Sequence, residues 1–281
     1  IKTKNSFESF LLNNKFDIIY FNSPTIFSTF LEEIPFIMNI YEMQHRTDNY
    51  FPEYRKSGHT LDTRDDIILN AVKKSFKLIV ATEKDKKLLK ELYNSVDKNV
   101  EIQPCVPQLP NLYENQFKNE NFKEIFDSLN ISGKNIFFYP AQFWAHKNHK
   151  YIIDIVKFLK NNGREDIKVV FTGHDKSNKS YIQQSINDED LNSNFVILDY
   201  INNKQLISLY LNCGALIMPT FVGHSTLPLY EAFYFETPVF FTKNLLDHKL
   251  QDYVYQIDIY NPNDFINNLN DFEKNSSIKE K

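Results

Sequence analysis

The chain has 281 residues, 42% of them hydrophobic, which is enough for two domains of ordinary size. A formal net charge of −4 excludes a broad basic field for nucleic acid. Cys105 and Cys213 lie far apart without a metal-type spacing, which points to a reducing compartment and no disulfide framework. No stretch approaches the ~20 apolar residues of a membrane span, and none reads as a signal peptide. The first residue is Ile1 rather than Met, so a piece of a longer chain is expected.

From the N-terminus, FDIIYFN at 16–22 reads as a strand that Asn22-Ser23-Pro24 ends, and PFIMNIYE at 35–42 as a second. A polar stretch follows. Ile67, Ile68, Ala71 and Val72 have helical spacing, with Asp65 and Asp66 in the first turn and lysines in the last, so a helix is predicted over 63–75. KLIVAT at 77–82 is a third strand, EKDKKLLKELYN a helix, and VEIQPCVP at 100–107 a fourth strand. Strands alternating with helices predict a parallel α/β sheet. The Lys-rich segment 73–90 suits either a solvated helix face or peripheral contact with an anionic membrane surface. Prolines at 104, 107 and 110 break the regularity, and an Asn/Lys/Glu-rich helix follows. The expected division is a domain at 1–110, a linker at 111–133 and a second domain at 134–281.

The second half is more regular. Strands are predicted at 135–140, 168–173, 195–200, 215–220, 238–242 and near 254–259, and helices at about 147–161, 177–187, 203–212 and 262–272. Six strands with crossover helices make a doubly wound sheet, which binds ligands beyond its carboxyl strand ends. At 215–242 a buried strand, a loop and a helix starting near Ser225 or Thr226 follow in turn, with Pro228 in the first turn. The unpaired amides and dipole of that helix start attract an anion, most naturally a phosphate. Glu231, further along the helix, is suited to sugar or ribose hydroxyls. Together they suggest a nucleotide-sugar site; an ordinary crossover with a solvated Glu is the plain alternative. In FFYPAQFWAHKNHKYIIDI at 137–155 a strand ends at Pro140 and a loop carries Lys147, a cation at a carboxyl strand end. His146 and His149 read as solvated or helix-capping, since two His without a nearby acid or Cys make a poor metal site. No metal and no cofactor are expected. His174 and Asp175 form either a charge pair or a polar loop.

GHSTLPLYEAFYFETPV resembles the donor-site stretch of family-4 (group 1) retaining glycosyltransferases of GT-B fold. Glu231-Ala232 matches the second Glu of the family pattern, and Glu236-Thr237-Pro238-Val239 its end. The first Glu falls on Gly223, as in a subgroup with Gly followed by a pair like Leu227-Pro228. The loop around Lys147 resembles the family's phosphate-binding loop. There Lys147 matches the Lys, and Gln142 stands at the Arg position, as in a subgroup whose loop reads Pro-x-Gln-Phe-Trp-x-His-Lys-Asn-His. Gly173 matches a cleft-lining Gly at a strand end, and Tyr200 and Ile201 the backbone on which the base rests. In the first domain Gln44-His45-Arg46 matches part of a loop that reads His-Asp-Leu-Gln-His-Arg, with Tyr41 in place of the first His. His45 and Arg46 either face the cleft or form a structural pair hydrogen-bonded to the loop.

The resemblance implies two Rossmann-like doubly wound domains facing across a cleft, the first lacking its opening strand and Gly-rich loop. It implies transfer, with retention, from a nucleotide diphosphate sugar to a glycan or lipid-linked acceptor in cell-surface polysaccharide or lipopolysaccharide synthesis. Such a protein is cytoplasmic or at the inner face of the membrane. The implied roles are donor phosphate binding by Lys147, Gln142, Ser225, Thr226 and Leu227, ribose binding by Glu231, sugar contact by Gly223 and His224, and catalysis by His45 and Arg46. A non-catalytic nucleotide-sugar-binding module and a GT-B nucleotide-sugar epimerase are the alternatives.

Overall fold

The structure, a computed structural model, describes residues 5–56, 61–131, 135–223, 227–246 and 248–279. Its contacts divide the chain into Ile1–Cys105 and Val106–Lys281.

The first unit carries four parallel strands in chain order, β1 (Ile19–Phe21), β2 (Phe36–Asn39), β3 (Lys77–Val80) and β4 (Val100–Ile102). Met38 of β2 sits opposite Leu78 of β3, and both are buried. The helix Leu61–Lys74 covers them with Ile67, Ile68 and Ala71, the residues whose spacing predicted it. The helix Glu83–Tyr93 begins where the Thr82 side chain accepts the Asp85 amide and ends at Asn94 in the left-handed conformation. The strands are shorter than expected, and the helices Ser6–Asn13, Gln44–Thr47 and Pro52–Lys56 were not foreseen. The first of these is fixed by tertiary contact: Glu8 is buried, and its Oε1 accepts the amides of Glu32 and Glu33 at 2.6 and 2.7 Å. Such long-range pairing leaves no periodic trace in the sequence.

The second unit carries six parallel strands: β5 (Asn135–Pro140), β6 (Ile167–Thr172), β7 (Phe195–Leu198), β8 (Ala215–Met218), β9 (Val239–Thr242) and β10 (Tyr255–Ile257). Their order is β10-β9-β8-β5-β6-β7. Every residue of β8 and β9 is buried, which is why ALIM and VFFT read as unbroken apolar runs rather than alternating ones. The order is that of a doubly wound sheet, and the chain reverses direction across it between β5 and β8. Within the span 111–133, expected as a linker, the described residues up to 131 contribute to this core. Phe122 and Phe126 of the helix Phe122–Ser128 are buried, and the Ser208 hydroxyl of the helix Asn203–Asn212 donates to the Phe122 carbonyl at 3.0 Å. No described helix is long and apolar enough to cross a membrane.

Candidate functional site

Because all six strands of the second unit are parallel, the loops after β5, β6, β7 and β8 emerge at one end of the sheet. Those loops carry Gln142 and Lys147, then Gly173, then Tyr200 and Ile201, then Gly223 and Leu227. The switch point between β5 and β8 is bracketed by the first and last of them, the place where such sheets bind ligands.

Hydrogen bonds tie these two loops into one piece. After β5 the chain makes a 3-10 turn, Ala145–Lys147, and then Asn148 adopts the left-handed conformation with φ 55°. The His146 carbonyl accepts the Phe221 amide at 2.9 Å and the Thr220 hydroxyl at 3.2 Å. Asn148 Nδ2 donates to the Pro219 carbonyl at 3.1 Å. The Lys147 carbonyl accepts the Tyr139 hydroxyl at 3.0 Å, so the residue carrying the cation has a fixed backbone. Asn suits position 148 twice over, tolerating the left-handed backbone and supplying the bridging amide.

Below the turn, His149 is wholly buried and stacks on Phe143 with centroids 4.6 Å apart at 17°. Phe171 of β6 meets it edge-on at 5.0 Å. Burial pushes its pKa down to about 3, with Lys147 and His146 adding to the fall and the Ala141 backbone opposing it. The expectation of solvated or capping histidines is therefore corrected: His149 is a neutral slab in an aromatic stack, and His146 is also buried. Trp144 stacks over His146 and donates its indole N–H to Gln142 Oε1 at 3.0 Å. Gln142 is exposed.

Gly173 has φ +151°, and a Cβ there would lie 2.4 Å from the Ala141 carbonyl oxygen. The residue lets the loop after β6 press against the loop after β5, where the Phe143 amide donates to the His174 carbonyl at 3.0 Å. Asp175 does not pair with His174. Its carboxylate accepts the Ser177 and Lys179 amides at 2.8 and 3.2 Å, and His174 instead stacks against Tyr200 at 6.1 Å. Tyr200 is 75% exposed, which leaves its outer face open to a planar partner.

Gly223 has φ +98°, and a Cβ there would meet nothing within 4 Å, so the backbone and not space excludes a side chain. Any L side chain at that position would be strained in this backbone. The helix that follows Gly223 in the chain is described from Leu227 to Tyr234. His224, Ser225 and Thr226 lie outside the described residues. Glu231 is buried in this helix, and its Oε2 accepts the Tyr210 hydroxyl at 2.8 Å. Among the described residues no hydrogen bond reaches Oε1. Burial raises the Glu231 pKa, and the Tyr210 hydrogen bond partly offsets that rise. Tyr210 was not foreseen, because nothing in a helix's sequence shows which hydroxyl meets a distant acid.

In the first unit His45 and Arg46 both bond to Asp65 of the helix Leu61–Lys74. His45 Nε2 lies 3.1 Å from Asp65 Oδ1, and Arg46 donates to Oδ2 at 2.8 Å. Tyr93 adds a hydroxyl to Oδ1 at 2.6 Å. The carboxylate that holds both side chains belongs to a helix and not to the loop that carries them. His45 also lines a cavity of about 340 Å³ inside this unit, together with Tyr41, Glu42 and Arg64.

The profile of the family described as Glycosyl transferases group 1 matches residues 121–281. Among solved structures, the chain is similar to WaaG, a glycosyltransferase involved in lipopolysaccharide biosynthesis, with a TM-score of 0.64 and 17% identity over 84% of this chain and 62% of that one. It is similar to Anabaena HepE in complex with UDP and glucose, with a TM-score of 0.67 and 12% identity over 84% of this chain and 62% of that one. It is also similar to sucrose-phosphate synthase from Thermosynechococcus elongatus, with a TM-score of 0.73 and 12% identity over 96% of this chain and 67% of that one. The chain thus spans about 62% of the length of WaaG and HepE. No curated protein matches it. At these identities the structural likeness establishes the GT-B fold.

Proposed function

The chain belongs to the group 1 glycosyl transferases, and from that premise we propose that it moves a sugar from a nucleotide diphosphate sugar to a glycan or lipid-linked acceptor, with retention at the anomeric carbon. The observation that carries this reading is the joined pair of loops at the switch point, with Lys147 in one and the start of the helix Leu227–Tyr234 following the other.

As the glycosidic bond breaks, negative charge grows on the leaving diphosphate. In this reading Lys147 and the amides at the helix start stabilise that charge from positions set before the reaction, so little reorganisation is needed. Gln142, held by Trp144, donates its amide to a phosphate oxygen. Glu231 accepts a ribose hydroxyl on Oε1 while Tyr210 fixes Oε2. The nucleobase lies against Tyr200 and Ile201. Gly223 lies against the sugar. The reading places the protein in the cytoplasm or at the inner face of the membrane, in synthesis of a cell-surface polysaccharide or lipopolysaccharide. WaaG, described as acting in lipopolysaccharide biosynthesis, and HepE, described with UDP-glucose, support this choice of pathway and donor class.

The test is a thermal-shift and calorimetric panel of UDP, GDP, ADP, TDP and their sugars on the wild type, Lys147→Ala and Glu231→Ala. A ligand of the folded state raises the melting temperature. One nucleotide is expected to do so, and both variants to weaken it by about tenfold or more, the scale of a lost charge-assisted hydrogen bond. A folded wild type that responds to none of them, or variants that bind as well as the wild type, would sink the reading.

A further inference from the structure

The first unit's cavity, about 340 Å³, falls within the ~300–1,000 Å³ typical of small-molecule clefts. It lies beyond the carboxyl ends of β1 and β2. One part of its wall is apolar, from Ile26, Ile67 and Ile68, and another is polar, from Glu42, His45 and Arg64. A wall of this kind suits a pyranose ring, which presents C–H groups on a face and hydroxyls around an edge. Arg64 and Glu42 stand 4.0 Å apart, a donor and an acceptor side by side.

The histidine in this wall is held in one protonation form by its neighbours. Tyr93 donates its only proton to Asp65 Oδ1, at 2.6 Å, so its oxygen is left as an acceptor 3.1 Å from His45 Nε2. Asp65 Oδ1 is a second acceptor for the same nitrogen, at 3.1 Å. Two acceptors and no donor face Nε2, so that nitrogen carries the hydrogen. Arg46 occupies Asp65 Oδ2 and keeps the carboxylate from turning. The ring's other nitrogen, Nδ1, is then the lone-pair side, and among the described residues no hydrogen bond reaches it. Burial lowers the pKa of His45 and Asp65 opposes that fall; the neutral ring this gives agrees with the geometry.

We propose that Asp65 and Tyr93 are positioning residues that hold His45 as the Nε2–H tautomer, so that its Nδ1 accepts a hydrogen bond from a hydroxyl of a sugar ring seated in the cavity beside it. The inference rests on the transferase reading, within which the ring is the accepting end of a glycan or glycolipid. It adds to that reading two positioning residues, Asp65 and Tyr93, absent from the sequence motif.

The experiment uses the full chain with 15N-labelled histidine. Long-range proton–nitrogen correlations report the tautomer of each imidazole, and His45→Gln identifies the His45 signals. The probes are the methyl glycosides of glucose, galactose, mannose and N-acetylglucosamine. The Nε2–H tautomer is expected in the wild type, with a shift of the His45 Nδ1 resonance as one glycoside is added. Asp65→Asn is expected to move His45 toward the Nδ1–H form. Asp65→Asn and the milder Tyr93→Phe are expected to weaken the glycoside by about tenfold and about threefold, the scale of one hydrogen bond lost. Both variants are expected to respond to nucleotides as the wild type does. A purely structural role for Asp65 would leave the tautomer and the glycoside response unmoved in variants that remain folded, and that result overturns the proposal. So does a wild-type His45 signal that no glycoside moves while a nucleotide binds, in which case the transferase reading stands. Failure of every nucleotide to bind removes that reading itself.

Discussion

At the scale of single residues, Glu231 and His149 are both buried titratable groups held away from their ordinary pKa, and they bear on stability in opposite pH directions. Burial raises the Glu231 pKa, so the folded state holds its proton more tightly than the unfolded chain. Stability is therefore lost as pH rises from about 4.5, the usual Glu range, through the folded value. Glu231→Gln keeps an oxygen for the Tyr210 hydroxyl and removes the buried charge. At pH 7 we expect a melting temperature a few degrees above the wild type, a gap that closes as pH falls toward 4.5, and weaker nucleotide binding. A thermal-melt series across pH checks this; a variant less stable than the wild type at pH 7 would contradict it. The His149 pKa is about 3, below its unfolded value. The unfolded chain then binds the extra proton first, and stability falls as pH drops from about 6.5 toward 3, by at most ~1.4 kcal/mol per pH unit. His149→Phe keeps a ring against Phe143 and is expected to flatten that acid limb of the profile. An unchanged slope would show that another group causes it.

At the scale of elements, the loops beyond the sheet depend on two backbone constraints. Gly173→Ala places a Cβ 2.4 Å from the Ala141 carbonyl oxygen, in backbone that cannot swing aside as a side chain would. A loss of ~2–4 kcal/mol is expected in a denaturant titration, the range for overpacking joined to backbone strain. A change under ~1 kcal/mol would mean that the two loops are not pressed together. Asn148→Ala gives up the amide to the Pro219 carbonyl and the tolerated left-handed backbone, with an expected cost of ~1–2 kcal/mol and a weaker nucleotide response. At this same scale the chain was most readable. ALIM, VFFT and NIFFYP announced buried strands because a parallel sheet covers both faces of each strand. The Lys147 loop and the helix after Gly223 could be placed at carboxyl strand ends from the strand–loop–helix pattern alone. What stayed hidden were pairings between distant segments: Glu8 with the amides of Glu32 and Glu33, Tyr210 with Glu231, and Asp65 with His45. A carboxylate in a helix pattern looks the same whether water or a tyrosine meets it. His149 was misread for the same reason, since a polar residue at a helix start gives no sign that Phe143 and Phe171 enclose it.

At the scale of the whole molecule, each unit has a core of its own. The second is built from six strands and gathers Phe122 and Phe126 from the segment expected as a linker. A fragment cut at 111 or later would lose Leu109, and one cut at 134 both phenylalanines as well. A fragment of 106–281 is expected to unfold in one cooperative transition and to bind its nucleotide within about threefold of the full chain, or ~0.7 kcal/mol. A 134–281 fragment is expected to be poorly folded or aggregated. Equal behaviour of the two would show that the helix Phe122–Ser128 is dispensable. Under the proposed transferase reading, the His146 carbonyl bears on how the donor loops are re-engineered. It serves the amide of Phe221 and the hydroxyl of Thr220, so one loop's backbone completes the other's. Grafting the Lys147 loop alone from a relative with a different donor would leave that handshake half made. The two segments behave as a single cassette, and a change of sugar donor by loop exchange has to carry 141–148 and 219–223 across together.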